Sequence, residues 1–163
     1  MKQTNIDFVK RVRGLKGIPY TTCDCIGVII NALGRKMAGT NWLWRSINNS
    51  AKYRFLCLRV HGSPYENELM PGDLLFKIND EAIPGGYTDK PNCYHVGVYS
   101  GENTVIHSSP STGVREELLD VSKWNGWGRL TDIQYQVSDA VADFKEKSDR
   151  ELLEAIYNKI MEE

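Results

Sequence analysis

The feature that most constrains this chain is a pair of short apolar runs, residues 94–99 and 104–108, separated by Ser100, Gly101, Glu102 and Asn103. Valine and isoleucine alternating with other residues favour half-buried strands, and the glycine and asparagine between them are hairpin residues. Pairing about Gly101, with Tyr99 facing Asn103, places His95 directly opposite His107, twelve residues further on. Directly opposed side chains have Cβ atoms about 4.5–5.5 Å apart. Alternation then puts Val96, Val98, Thr104 and Ile106 on one face and His95, Gly97 and His107 on the other. Gly97, having no side chain, leaves room there for another element to approach. An imidazole held by a second imidazole has its tautomer and ring angle fixed, which is what a cysteine–histidine pair requires of a third group.

The first half of the chain reads as helical. Thr4 and Asp7 form a capped start, after which Phe8, Val9, Val12 and Leu15 recur at helical spacing until Gly14, Gly17 and Pro19 end the run. A second apolar stretch, 26–33, follows Asp24 and stops at Gly34, where a helix takes its terminal glycine. Cys25 therefore sits in a first turn. The partial positive charge of a helix N-terminus is expected to lower its thiol below the usual value of about 8.5. Residues 38–68, with Trp42, Trp44, Tyr53 and Phe55, read as a helical or irregular connection, 71–76 as a strand, and 80–91 as a loop rich in glycine and proline. Helices followed by antiparallel strands imply an α+β fold. At the end, Ser148 and Glu151 form a capping box. Leu152, Leu153, Ile156, Tyr157, Ile160 and Met161 then line one helical stripe, which is expected to pack on its own domain, on a second copy or on a partner.

A chain of 163 residues that is 41% hydrophobic and 25% charged is expected to form one catalytic-sized domain over 1–137 with a helical extension over 138–163. No stretch approaches the roughly 20 apolar residues of a membrane span. The basic start, with Lys2, Lys10, Arg11, Arg13 and Lys16, lacks a signal-peptide core, so synthesis in the cytoplasm is expected. Cys23, Cys25, Cys57 and Cys93 are too irregularly spaced for a disulfide framework and are read as free thiols. Residues 1–60 carry eleven Lys or Arg against Asp7 and Asp24, a net +9, and residues 61–163 carry nine against nineteen acids, a net −10. Either the two halves neutralise each other across the fold or a basic rim attracts an anionic polymer. No nucleic-acid-binding signature accompanies the charge. Cys23, Cys25, His95 and His107 do not reproduce the spacing of a structural zinc knuckle, so neither metal nor cofactor is expected, and His61 reads as a loop residue.

Four blocks in order resemble the NlpC/P60 cysteine peptidases: Asp24-Cys25-Ile26-Gly27-Val28, Pro71-Gly72-Asp73-Leu74-Leu75-Phe76, His95-Val96-Gly97-Val98-Tyr99-Ser100-Gly101 and Val105-Ile106-His107-Ser108-Ser109. The resemblance spans residues 20–115. It implies a papain-like α+β fold with the nucleophile helix packed on a small antiparallel sheet. It also implies cleavage of peptidoglycan stem peptides between γ-linked D-glutamate and the following diamino acid. Carried over by position, Cys25 is the nucleophile, His95 the base and then the acid, and His107 the residue orienting His95. Tyr20, Asp24 and Tyr94 fall at the substrate.

The chain departs from the family pattern in four places. The glycine pair between Tyr20 and Cys25 is missing, Ile26 replaces a serine after the nucleophile, Tyr94 replaces a glycine, and Cys93 lies beside it. These changes bear on the end group of the substrate rather than on the reaction type. Two rivals stay open: an amidase of the related CHAP type, and a non-catalytic phage or secretion component with the same fold. From the expected synthesis in the cytoplasm, the polymer would be reached from a phage virion, by holin-mediated release or after lysis; otherwise the substrate would be a recycled or non-wall peptide inside the cell.

Overall fold

The computed structural model describes residues 3–48, 55–58, 69–81, 92–130 and 133–136. Helix α1 (Asn5–Arg13) starts at Thr4, whose hydroxyl accepts the Asp7 N–H at 3.0 Å. Helix α2 (Cys25–Leu33) starts at Asp24, whose carboxylate accepts the Gly27 N–H at 2.7 Å, and ends at Gly34 with φ 66°, a left-handed conformation that glycine adopts without strain. Both helices thus begin at a side-chain cap and end at a glycine whose backbone N–H returns to a carbonyl of the last turn, Lys10 for α1 and Ile30 for α2. The mixed region contributes helix α3 (Thr40–Asn48) and strand β1 (Phe55–Leu58). The C-terminal helix expected over 148–163, the division at 137 and His61 lie outside the described residues.

Strands β2 (Leu74–Asn79), β3 (Asn92–Gly101), β4 (Thr104–Ser109), β5 (Gly113–Leu118) and β6 (Gly126–Leu130) join β1 in one antiparallel sheet of order β1-β6-β2-β3-β4-β5. The architecture is α+β, as the element order implied. Strands β1, β5 and β6 were not marked by the sequence pattern. Arg115, Glu116 and Glu117 make β5 look like a solvated charge run, and Gly126 and Gly128 interrupt β6. These two strands are recruited by their neighbours rather than by their own propensity.

The β3–β4 register differs from the expected one. Val98 faces Ile106 and Tyr99 faces Val105, and Gly101 faces Thr104 across an irregularity at Ser100. Gly101, Glu102 and Asn103 all take positive φ (87°, 53° and 56°), so the chain reverses at Glu102 and Asn103 rather than about Gly101. Continued along the strands, this register sets Gly97 opposite His107, with His95 on the diagonal. Because the pairing moves by two positions, an even number, every residue keeps its predicted face.

Val96, Val98 and Ile106 pack with Phe8, Val12, Val28 and Ile29 of the first two helices. On the reverse face Leu75, Tyr99 and Val105 pack with Trp124 and Trp127. Arg13 and Lys16 of the basic half meet Glu116 of the acidic half at 3.1 and 2.9 Å, so part of the charge asymmetry is neutralised internally. The turn before β2 is fixed by Asp73, which is fully buried; its carboxylate takes both the Nε and Nη2 of Arg129, at 2.8 and 2.7 Å, and the Met70 N–H at 2.7 Å. Removing the buried carboxylate takes the acceptor from the Met70 N–H and from the part-exposed Arg129, at about 1.5–3 kcal/mol. Asp73→Ala is therefore expected to lower unfolding stability by about that amount in guanidinium titration, with the midpoint shifted and the slope unchanged.

Candidate active site

The segment entering α2 docks where β3 and β4 run past their shared ladder. Ser108 Oγ donates to the Cys23 carbonyl at 2.6 Å in a fully buried position. One residue beyond Asp24, the Cys25 sulfur lies against the backbone N–H of Val96, the residue after His95. Cys25 is only 7% exposed. Burial pushes its thiol up and the Asp24 charge adds to this, while the amides of Val96, Ile26 and Cys25 itself pull it down without prevailing. The expected lowering by the helix N-terminus is therefore overturned. A helix terminus contributes about 0.3–1 kcal/mol, less than one pKa unit, whereas burial moves a group by up to about 3–5 units. The sulfur is a neutral thiol at rest and needs a base to activate it.

The histidine pair expected to supply the base lies on the side of the sheet that carries Trp124. His95 Nε2 and His107 Nδ1 are 2.9 Å apart, with the rings edge to face at a centroid distance of 4.9 Å. His107 Nε2 is in turn 2.9 Å from Glu117 Oε1. A carboxylate only accepts, so His107 donates from Nε2 and presents a bare Nδ1, to which His95 donates its Nε2–H. Nδ1 of His95 is left as the bare nitrogen. The hydrogen bonds of the described residues join His95 to His107 and not to Cys25.

Burial, reinforced by the charges of His107 and Lys77 and opposed by Glu117, pulls His95 down to about 4. Burial also lowers His107, against the hydrogen bond and charge of Glu117. Both rings are neutral near pH 7, the state in which an imidazole can take a proton.

Trp124 covers the pair, stacked on His95 at 5.6 Å and edge-on to His107 at 5.9 Å. Gly97 makes this possible. A Cβ at that position would come within 2.8 Å of Val105 Cγ2, 2.9 Å of Trp124 and 3.3 Å of His107 Cβ. The room that the sequence left for another element is occupied by an indole. Lys77, paired with His95 across β2 and β3, places its ammonium 4.8 Å over the same indole.

Of the residues expected at the substrate, Tyr20 is half-buried and close enough for the charges of Cys25 and Asp24 to raise its hydroxyl, after burial as the larger cause. Asp24 acts as the α2 cap. Tyr94 is 53% exposed and lies immediately before His95. Sequence reasoning missed Trp124, Lys77 and Glu117. Continuing the two-residue alternation onto β2 would have found Lys77, but Trp124 and Glu117 depend on pairings that no local pattern encodes. Among the described residues no group of three His, Cys, Asp or Glu side chains is placed to hold a metal, and no helix is long and apolar enough to cross a membrane.

No family profile and no curated relative matches the sequence. Among solved structures the chain is similar to an NlpC/P60 family protein from Bacillus cereus, with a TM-score of 0.54 and 19% identity over 80% of this chain and 41% of that one. It is also similar to the NlpC/P60 domain of the peptidoglycan hydrolase SagA, with a TM-score of 0.50 and 20% identity over 78% of this chain and 99% of that one. The chain therefore spans about two fifths of the length of the Bacillus cereus protein. It has the NlpC/P60 fold.

Two outcomes follow from this geometry. A histidine whose pKa falls on folding binds protons less readily in the native state than in the unfolded one, so stability is lost as pH drops from about 6.5 toward 4. Thermal melts across that window are expected to show the loss, and His95→Gln to flatten it. Gly97→Ala forces the indole off its seat; melts are expected to show about 1–3 kcal/mol of destabilisation, with a change in tryptophan fluorescence.

Proposed function

We propose that this protein is a cysteine peptidase that hydrolyses peptidoglycan stem peptides at the bond between γ-linked D-glutamate and the diamino acid. Cys25 is the nucleophile, His95 the general base and then acid, and His107 the residue that positions His95. The reading rests chiefly on the 2.9 Å His95–His107 contact, next in the chain to the strand amide that faces the Cys25 sulfur. The shared fold with a domain of a protein described as a peptidoglycan hydrolase supports the substrate class.

Because the thiol is neutral at rest, attack and proton transfer go together. The sulfur bonds to the γ-carbonyl carbon as its proton passes to His95 Nδ1. The oxyanion that develops is met by the Cys25 N–H, a first-turn amide without an intrahelical partner, and by the nearby Tyr20 hydroxyl. His95 then gives its proton to the leaving amine, the C–N bond breaks, and a thioester remains. Water attacks that thioester, loses a proton to His95, and releases the glutamate carboxyl and the free thiol. Asp24 and Tyr94 flank the entry. With Ile26 beside Cys25 instead of a serine, recognition of a free peptide N-terminus falls to Asp24 and Tyr20.

A second reading, a non-catalytic binding protein, is favoured by one observation: the sulfur is buried and raised, and His95 is bonded to His107 instead. Purified muropeptides incubated with the wild type are expected to yield a new amine end by mass spectrometry, and with Cys25→Ala to yield none. His95→Ala is expected to lose about 10²–10⁴-fold in rate. Digests in which wild type and Cys25→Ala are indistinguishable would leave the binding reading.

A further inference from the structure

Strand β5 carries two adjacent glutamates that alternation sends to opposite faces. Glu116 faces α1, where Arg13 and Lys16 hold it at 3.1 and 2.9 Å, and these bonds outweigh burial to bring it down to about 2. Glu117 goes to the other face. His107 pairs with Arg115 across β4 and β5, and Val105 pairs with Glu117, so Glu117 is the diagonal neighbour of His107. Its Oε1 lies 2.9 Å from His107 Nε2, and its Oε2 lies 2.6 Å from Arg115 Nη2. Both oxygens are committed, and the carboxylate is aimed by the arginine.

The geometry assigns Glu117 as a positioning residue of the active site, which acts through His107 to fix the protonation pattern of His95. This assignment rests on the reading of Cys25 and His95 as nucleophile and base. Two imidazoles facing each other through Nε2 and Nδ1 can order their protons in either direction. In one, His107 Nδ1 accepts and His95 keeps a bare Nδ1; in the other, His107 donates and His95 carries its proton on Nδ1, where it cannot act as a base. An acceptor-only group at His107 Nε2 selects the first. The carboxylate also places a negative charge two hydrogen bonds from the imidazolium that forms when Cys25 attacks, in a setting where Lys77 and Arg115 are the cations facing the pair. Burial would raise Glu117, but the His107 hydrogen bond and the charges of His107, Arg115 and Lys77 lower it, so it stays ionised.

Glu117→Gln keeps the shape while supplying an amide that can donate as well as accept, so the order is no longer enforced. Glu116→Gln removes the same charge from the opposite face and serves as the control. The chain has three histidines, which makes the long-range ¹H–¹⁵N spectrum of the full-length protein assignable. In the wild type at pH 7, His95 and His107 are expected to be single tautomers protonated at Nε2. Glu117→Gln is expected to give mixed or reversed tautomers at both, Glu116→Gln to leave them unchanged, and Glu117→Asp to restore them in part. In muropeptide digests, kcat is expected to fall about 10- to 100-fold with KM little changed, as for carboxylates that orient metal-bound imidazoles. Unchanged tautomers in folded Glu117→Gln would overturn the assignment even if the wild type hydrolyses the peptide. Shifted tautomers in Glu117→Gln together with a wild type that has no hydrolytic activity would uphold the relay and remove the peptidase reading instead.

Discussion

A hydrogen bond between two neutral imidazoles needs one donor and one acceptor, and the rest of the site exists to satisfy that requirement out of water. His107 is 3% exposed and cannot turn to solvent for a partner. An unpaired buried ring nitrogen costs about 1–3 kcal/mol, comparable to a large core mutation. Three strands therefore contribute: β3 supplies His95, β4 supplies His107, and β5 supplies the carboxylate that closes the chain of donors and acceptors. Trp124 lies over both rings and keeps water from competing, and Gly97 is the one position whose missing side chain lets it do so.

Cys25 packs with the helix-side core at the strand amide of Val96, and the imidazoles pack against Trp124; each environment sets the electrostatics of its group. Cys25 belongs to the helix-side core and loses solvation, so it rests as a thiol. His95 belongs to the indole-side face and also loses solvation, so it rests as a free base. Burial has the same sense for both: it keeps each neutral. A site arranged in this way has no standing ion pair, and under the proposed peptidase reading its reactivity would depend on how well a developing imidazolium is stabilised from behind.

Parts of this were legible in the sequence because they are local. Thr4 and Asp24 cap helices through bonds to backbone amides three residues away, and Gly34 ends α2 because its φ requires it. The faces of β3 and β4 followed from alternation, and they survived the change of register because the pairing moved by two positions. The partner of each residue did not survive it. Three successive left-handed residues at 101–103 moved the reversal point, so His107 faces a glycine and reaches His95 on the diagonal.

The order of the residues alone determined which side chains can meet: helix starts, turn-forming residues and the two-residue period are set within a few bonds, where backbone sterics dominate. Tertiary structure decided which of them do meet. Glu117 reads as one acid in a charge run until β5 pairs with β4, Trp124 as an ordinary aromatic until Gly97 gives it a seat, and Cys25 as an activated thiol until packing removes its water. These outcomes depend on desolvation and on contacts between distant strands, free energies that belong to the assembled fold and to no segment of it.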